Sequence, residues 1–306
     1  MNCDQRKNWI TNLWTKIEEK DGDFFSLIGV DCYPFSATPE IESLDSLRYL
    51  CTFSDIHLNM PPTTLAPRDG LIKEVHLKQE WEGKISLKII LEHQTPIKVN
   101  INKACPNQII LTLDRNPLRK IIQDKLIVID PAHGGNDSGS ISPTSLQEKE
   151  VTLDLARRAK TLLEAYQGQV VLLRNQDKQV PLQRKINQVK SISPDLLISL
   201  HTGEDPMGRI IGPRTGFTGI SSNRQQRAEL MQRALFQKLI FPNGGVFKTT
   251  DPLMQIHPDK SLMVEISNIT SRLEEGWMRD DGFKTIMAQG IFNGIKTILK
   301  NQDRFS

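Results

Sequence analysis

Two hydrophobic periods divide this chain. Between about residues 45 and 117 apolar positions recur every second residue. Ile97, Val99 and Ile101 alternate with Lys98, Asn100 and Asn102, and Ile109, Leu111 and Leu113 do much the same. Ile85, Leu87, Ile89 and Leu91 keep the period although Ile90 interrupts the polar side. With 48–56 and 71–79, this pattern predicts about five strands, joined at Asp69-Gly70, Glu82-Gly83 and Pro106-Asn107. One-sided alternation implies antiparallel sheets with a single buried face, hence a small all-β sandwich. Ahead of it, Trp9, Ile10, Leu13, Trp14 and Ile17 fall at helical spacing. They predict a short amphipathic helix within 8–28. A connector through Pro34, Pro39 and Ser46 follows, so residues 1–44 read as helix and connector.

Beyond the largely polar segment 116–124, the expected hinge, the period changes. Unbroken apolar runs at 125–130, 170–174, 195–200 and 261–266 alternate with helical patterns at 148–166, 180–191, 223–240 and 279–300. Strands without alternation, separated by helices, predict an α/β domain over 124–302. Its mostly parallel sheet would be covered by helices on both faces. No internal repeat stands out.

The α/β half carries the candidate chemistry. Its first strand runs Ile-Val-Ile-Asp-Pro-Ala and delivers His133 before a Gly-Gly pair; Glu148 opens the next helix. Strand ends of open α/β sheets are where such folds place ligands. The run 196–200 ends in His201, and Glu265 interrupts the apolar run 261–266. A carboxylate inside such a strand is costly unless paired or functional. Taken singly, His133 and His201 read as structural histidines and Glu148 as an acid complementing a helix N-terminus. Jointly, two imidazoles and one carboxylate with an open fourth position have the composition of a catalytic zinc site. The remaining Glu is then free to move protons. Asp130, beside His133, reads as a residue orienting that histidine or its loop rather than a ligand.

Composition narrows the classes without choosing among them. The 306 residues exceed what one core usually organises, so two domains are the default. A net charge of +3 and the absence of a basic run give no argument for nucleic acid. Cys3, Cys32, Cys51 and Cys105 lack metal-site spacing and read as buried or free thiols, with a Cys51–Cys105 bridge as the alternative in an oxidising compartment. No stretch approaches the roughly 18 apolar residues of a transmembrane segment. The first residues lack the apolar core of a secretory signal.

In chain order, Ile129-Asp-Pro-Ala-His-Gly-Gly, Glu148-Lys-Glu-Val-Thr-Leu, Leu173-Arg-Asn-Gln-Asp, Val180-Pro-Leu-Gln-Arg with Asn187, Ile198-Ser-Leu-His and Met263-Val-Glu form six motifs. Together they resemble the zinc-dependent N-acetylmuramoyl-L-alanine amidases of the amidase-3 type, over about residues 125–301. The resemblance implies one Zn2+ held by His133, Glu148 and His201, with Glu265 as catalytic acid/base. It implies peptidoglycan as substrate, leaves room for an activator protein, and places the chain in the cell envelope, outside the cytoplasm. Arg174, Asp177 and Arg184 match family positions too, and read as structural: a strand-end Arg paired with a loop Asp, and a helix Arg tying loops together. Residues 48–56, 67–76 and 107–115 resemble the AMIN domain, an envelope-targeting β-sandwich.

The chain departs from the amidase pattern at Ala132, at Thr202-Gly203 and at Ser267-Asn268. These departures bear on contacts near His201 and on the wall beside Glu265. The short segment 203–222 predicts no long helix over the site, and His257 reads as a surface residue. The expectation is a peptidoglycan amidase. Its alternatives are a zinc amidohydrolase or peptidase with another amide substrate, and a catalytically silent wall-binding module. Without a visible signal, export would use an unseen or non-standard route.

Overall fold

A computed structural model describes residues 7–34, 38–103, 105–209, 211–239 and 241–304. Cys3 lies outside them. The chain divides into two compact units, 1–120 and 121–306.

The first unit is all-β. Its strands are β1 (Asn8–Lys20), β2 (Asp23–Tyr33), β3 (Glu40–Ser43), β4 (Arg48–Ser54), β5 (Ile56–Leu58), β6 (Thr63–Leu65), β7 (Ile72–Trp81), β8 (Lys84–Leu91), β9 (Ile97–Asn102) and β10 (Asn107–Asp114). They form two five-stranded sheets, β5-β1-β2-β10-β9 and β3-β4-β8-β7-β6. Ile28, Val30, Ile109 and Leu111 of one sheet are fully buried, as are Phe53, Val75, Leu87 and Ile89 of the other. The alternation read from 85–91, 97–101 and 109–113 is therefore the pleat of β8, β9 and β10.

The helix expected within 8–28 is not formed. Those residues make β1 and most of β2, an antiparallel pair, and β2 lies at the centre of its sheet. The sandwich thus begins at Asn8 rather than near residue 45. A register shift between Ile10 and Asn12 explains the misleading spacing. The extra residue resets the pleat, so Ile10 and Leu13, three apart, are both buried. Trp14 lies opposite Gly29 and donates its indole N–H to Asp31 at 3.1 Å. A bulge has imitated the spacing of a helical turn.

Cys51 is fully buried on β4, and burial pushes its thiol up to about 12. Cys105 is exposed in the β9–β10 turn, and both cysteines are free. The alternative Cys51–Cys105 bridge does not form, because Cys51 faces the core.

In the expected hinge, Asn116–Ile122 form helix α1. The second unit then runs β11 (Leu126–Pro131), α2 (Glu148–Glu164), β12 (Gln169–Leu172), α3 (Leu182–Ile192), β13 (Leu196–Gly203), β14 (Arg214–Phe217), α4 (Ser222–Lys238), β15 (Val246–Lys248), β16 (Ser261–Asn268), α5 (Arg272–Arg279) and α6 (Asp281–Lys300). The sheet order is β12-β11-β13-β16-β14-β15. The first four strands are mutually parallel; β14 runs antiparallel to β16, and β15 follows β14. The sheet is therefore mixed. Its reversed pair was missed because Arg214-Thr-Gly-Phe and Val246-Phe-Lys are too short to show a period.

Successive residues Ile127, Val128 and Ile129 are all fully buried, so both faces of the sheet are covered. Val128, Leu197 and Met263 pack with Val189 of α3. Helix α2 lies against β11, β12 and β13, and α6 packs along α2 and α4. Among the described residues no helix is long and apolar enough to cross a membrane.

Candidate metal centre and its surroundings

Three adjacent parallel strands carry the site. His133 lies two residues beyond the end of β11, His201 sits in β13, and Glu265 lies beside His201 in register on β16. Glu148 is the first residue of α2, so the chain leaving β11 loops outward and returns its carboxylate to the strand ends. His133, Glu148 and His201 each offer a ligand atom within 4.8 Å of the others. His133 Nε2 stands 3.3 Å from Glu148 Oε2, and His201 Nδ1 stands 3.2 Å from Glu148 Oε1. Metal–ligand bonds of about 2.0–2.1 Å in a tetrahedron put ligand atoms about 3.3 Å apart. The three side chains fit a divalent cation.

Glu148 is only 2% exposed. Its Oε1 accepts from the Thr202 N–H at 2.9 Å and its Oε2 from the Ser140 N–H at 3.0 Å. Burial alone would push this carboxyl up, but the histidines and the two amides hold it well below the usual carboxylate range. Conversely, the hydrogen bond to Glu148 outweighs burial and pushes His133 up to about 9. The centre calls for positive charge between these groups.

His133 is oriented by Asp137, not by Asp130. Its Nδ1 is 2.9 Å from both Asp137 oxygens, which leaves Nε2 turned toward Glu148. Asp130 instead pairs with buried Lys185 at 2.7 Å and accepts from Ser199. The signal for Asp137 was present in the sequence, an acid four residues after the histidine in a Gly-rich loop. Asp137→Asn is expected to weaken metal affinity roughly 10–100-fold, as loss of a ligand-orienting carboxylate typically does. Chelator competition measures this, and unchanged affinity removes the role.

The loop holding these groups is tight. His133 itself has φ +63°, a conformation non-glycine residues adopt at a cost of about 1–3 kcal/mol. Gly139 has φ +64°, and a Cβ there would lie 2.5 Å from His133 and 2.7 Å from the Glu148 carboxylate. The Gly134-Gly135 pair packs against the backbone of Lys178 and Gln179.

Glu265 has a side chain 16% exposed. Burial pushes its carboxyl above the ordinary range, and the Arg214 guanidinium, 3.2 Å from Oε2, opposes that shift. That oxygen makes no hydrogen bond among the described residues. Beside the histidines opens a cavity of about 300 Å³, lined in part by Asp130, Gln179, Leu182, Lys185 and Asp251.

A family model described as N-acetylmuramoyl-L-alanine amidase matches residues 127–297, more than half of the chain. The chain belongs to that family. It is 32% identical over 181 residues to N-acetylmuramoyl-L-alanine amidase LytC of Bacillus subtilis, covering 58% of this chain and 36% of that protein. It is 28% identical over 185 residues to the probable cell wall amidase LytH of Staphylococcus saprophyticus, covering 60% and 61% respectively. The match thus spans less than two thirds of either relative. Among solved structures, N-acetylmuramoyl-L-alanine amidase AmiC2 of Nostoc punctiforme aligns with a TM-score of 0.54 at 27% identity, over 57% of this chain and 97% of that one.

In this amidase-family unit Arg174 is 1% exposed. It donates to the carbonyls of Pro131, Ala132 and Lys149 at 2.7–2.9 Å, tying β11 to the start of α2. Its partners are carbonyls rather than Asp177, which accepts from the Gly135 N–H and from Lys149. Arg174→Met would remove a charged donor from all three carbonyls, of which those of Ala132 and Lys149 keep the Thr152 hydroxyl, and is expected to cost about 1.5–3 kcal/mol. A chemical denaturation midpoint reads the change; a loss below 1 kcal/mol contradicts it.

Arg184 does not tie loops together. It is exposed, and its side chain makes no contact with charged or polar partners among the described residues; its neighbour Lys185 fills that role. Ser267 and Asn268 follow Glu265 at the end of β16. Both are fully buried, with the Ser267 hydroxyl and Asn268 N–H donated to Glu274. His257 is half-buried and stands outside the ligand group. Between β13 and α4 the described residues include β14 and no helix.

Proposed function

We propose that the chain is a peptidoglycan hydrolase. It cleaves the amide between N-acetylmuramic acid and the L-alanine of the stem peptide, with one zinc on His133, Glu148 and His201 and with Glu265 as general acid/base. The observation that supports this best is the convergence of two imidazoles and a carboxylate beside a second, partly exposed carboxylate on the adjacent strand. That donor set matches catalytic zinc sites with one open position.

Bound zinc would supply a Lewis acid and a more acidic water. The rest falls to side chains. Asp137 keeps the His133 proton on Nδ1 and its Nε2 free as a ligand. The Thr202 and Ser140 amides hold Glu148 ionised. Glu265 removes a proton from the attacking water and returns one to the leaving nitrogen. The raised affinity of its carboxyl for protons suits both halves of that task.

The all-β unit is read as an AMIN-like module directing the enzyme to the envelope. Two of the segments that carry this likeness meet in the core: Arg115 pairs with Asp69 at 2.9 Å, with side chains 2% and 10% exposed. Action outside the cytoplasm follows from the substrate. An activator protein remains part of the proposal.

Purified protein should carry about one zinc per chain and release free stem peptides from purified peptidoglycan. Zinc without cleavage points to an activator or another amide substrate. Absence of both zinc and cleavage removes the enzyme reading.

A further inference from the structure

We propose that Arg214 is a specificity-determining residue that binds a carboxylate on the stem peptide, the one at its second residue. The proposal rests on the amidase reading above and goes beyond its reaction chemistry to the form of substrate preferred.

Arg214 occupies a built position. It is the first residue of β14 and lies opposite Glu265 in the antiparallel register with β16. Its guanidinium sits over the Phe247 ring, 4.5 Å from the centroid. A Cβ on Gly244 would come within 2.4 Å of the Arg214 side chain, so that glycine leaves space for it. Its nearest charge is Glu265 Oε2 at 3.2 Å, yet no hydrogen bond joins them. The side chain is 31% exposed and makes no hydrogen bond to any described residue.

A guanidinium has five N–H donors in a planar fork that matches a carboxylate. One edge of this one faces Glu265, and the others are unused. The second cation near the site differs in this respect. Lys185 is buried against Asp130 at 2.7 Å, so its charge is already matched.

The reaction geometry says which half of the substrate reaches Arg214. Glu265 returns a proton to the leaving nitrogen, so that nitrogen must come within hydrogen-bond reach of its carboxylate. The leaving nitrogen belongs to the peptide, and the peptide therefore runs past Glu265. A chain advances about 3.3–3.6 Å per residue. Arg214 stands one contact beyond Glu265, which brings a carboxylate on the second stem residue within its range. An amidated second residue presents no anion and offers the fork only one acceptor oxygen.

Two muropeptides that differ only in a free or amidated carboxylate at the second residue test this. Zinc-loaded wild type is expected to favour the free acid by roughly tenfold in kcat/KM, mostly through KM, the scale of one charge-assisted contact. R214Q should collapse that ratio to near unity, and R214K should keep part of it. Phe247→Ala should lower it as well, by loosening the guanidinium. Calorimetric binding of the two free stem peptides to wild type and R214Q gives the same comparison without turnover. Equal treatment of both forms by wild type overturns the proposal while the amidase reading stands. A ratio that survives in R214Q, with both rates lowered equally, also overturns it and leaves Arg214 as a support for Glu265. If wild type cleaves neither form, calorimetry decides the binding question: equal affinity of wild type and R214Q for the free-acid stem peptide overturns the proposal.

Discussion

Replacing Glu265 with Ala should lower amide hydrolysis by roughly 10²–10⁴-fold, the usual contribution of a positioned acid/base, while metal content stays unchanged. The two effects separate because Glu265 is not one of the three converging ligand residues. Its carboxylate lies on the neighbouring strand, beside His201 in register, in a setting that pushes its proton affinity up. Folding should tolerate the change. The carboxylate makes an ion pair with Arg214 but leaves Oε2 without a hydrogen bond, so truncation orphans no backbone group. Zinc analysis, circular dichroism and stem-peptide release on the same preparation check all three statements. Wild-type activity in the variant would remove Glu265 from the chemistry, and loss of zinc would make it a ligand.

Glu148→Ala should abolish both metal retention and activity. The loss of affinity should exceed the roughly 10–100-fold expected for an orienting residue such as Asp137. Two costs combine. A ligand disappears, and the amides of Ser140 and Thr202 lose their acceptor. Each buried donor left without a partner costs about 1–3 kcal/mol, so this variant should also unfold at lower denaturant. Glu148→Gln keeps the shape and one acceptor oxygen. It should recover part of the stability without restoring metal affinity. Wild type stripped by a chelator should lose activity yet keep the Ser140 and Thr202 hydrogen bonds, and so be more stable than Glu148→Ala. If Glu148→Ala binds zinc as wild type does, His133 and His201 do not share a centre with it.

Much of the α/β unit was legible because its elements are long and uniform. The runs at 125–130, 195–200 and 261–266 are strands buried on both faces, and such strands leave an unbroken apolar signature. The candidate ligands were legible for a related reason. Polar residues ending or interrupting those runs are costly there, so His201 and Glu265 stand out against their surroundings.

What the sequence concealed depended on contacts between distant segments. The bulge in β1 shifted the alternation by one residue, and the partner strand that reveals it begins only at Asp23. The reversed strands β14 and β15 exist through pairing with β16 and with each other, not through any period of their own. Asp130 and Asp137 are both acids near His133, and chain distance favours neither strongly. The left-handed turn at His133 decides that the imidazole faces Asp137. Arg184 and Lys185 are adjacent cations on one helix, and its rotation against the sheet buries the second. Arg214 carries no sequence signal at all, since its relation to Glu265 comes from antiparallel register across 51 residues (265 − 214) of chain. The sequence by itself determined the long strands and helices of the second unit and which residue types end them. Only the tertiary structure decided which side chains meet, because hydrogen bonds and ion pairs depend on ångström-scale geometry that local periodicity does not encode.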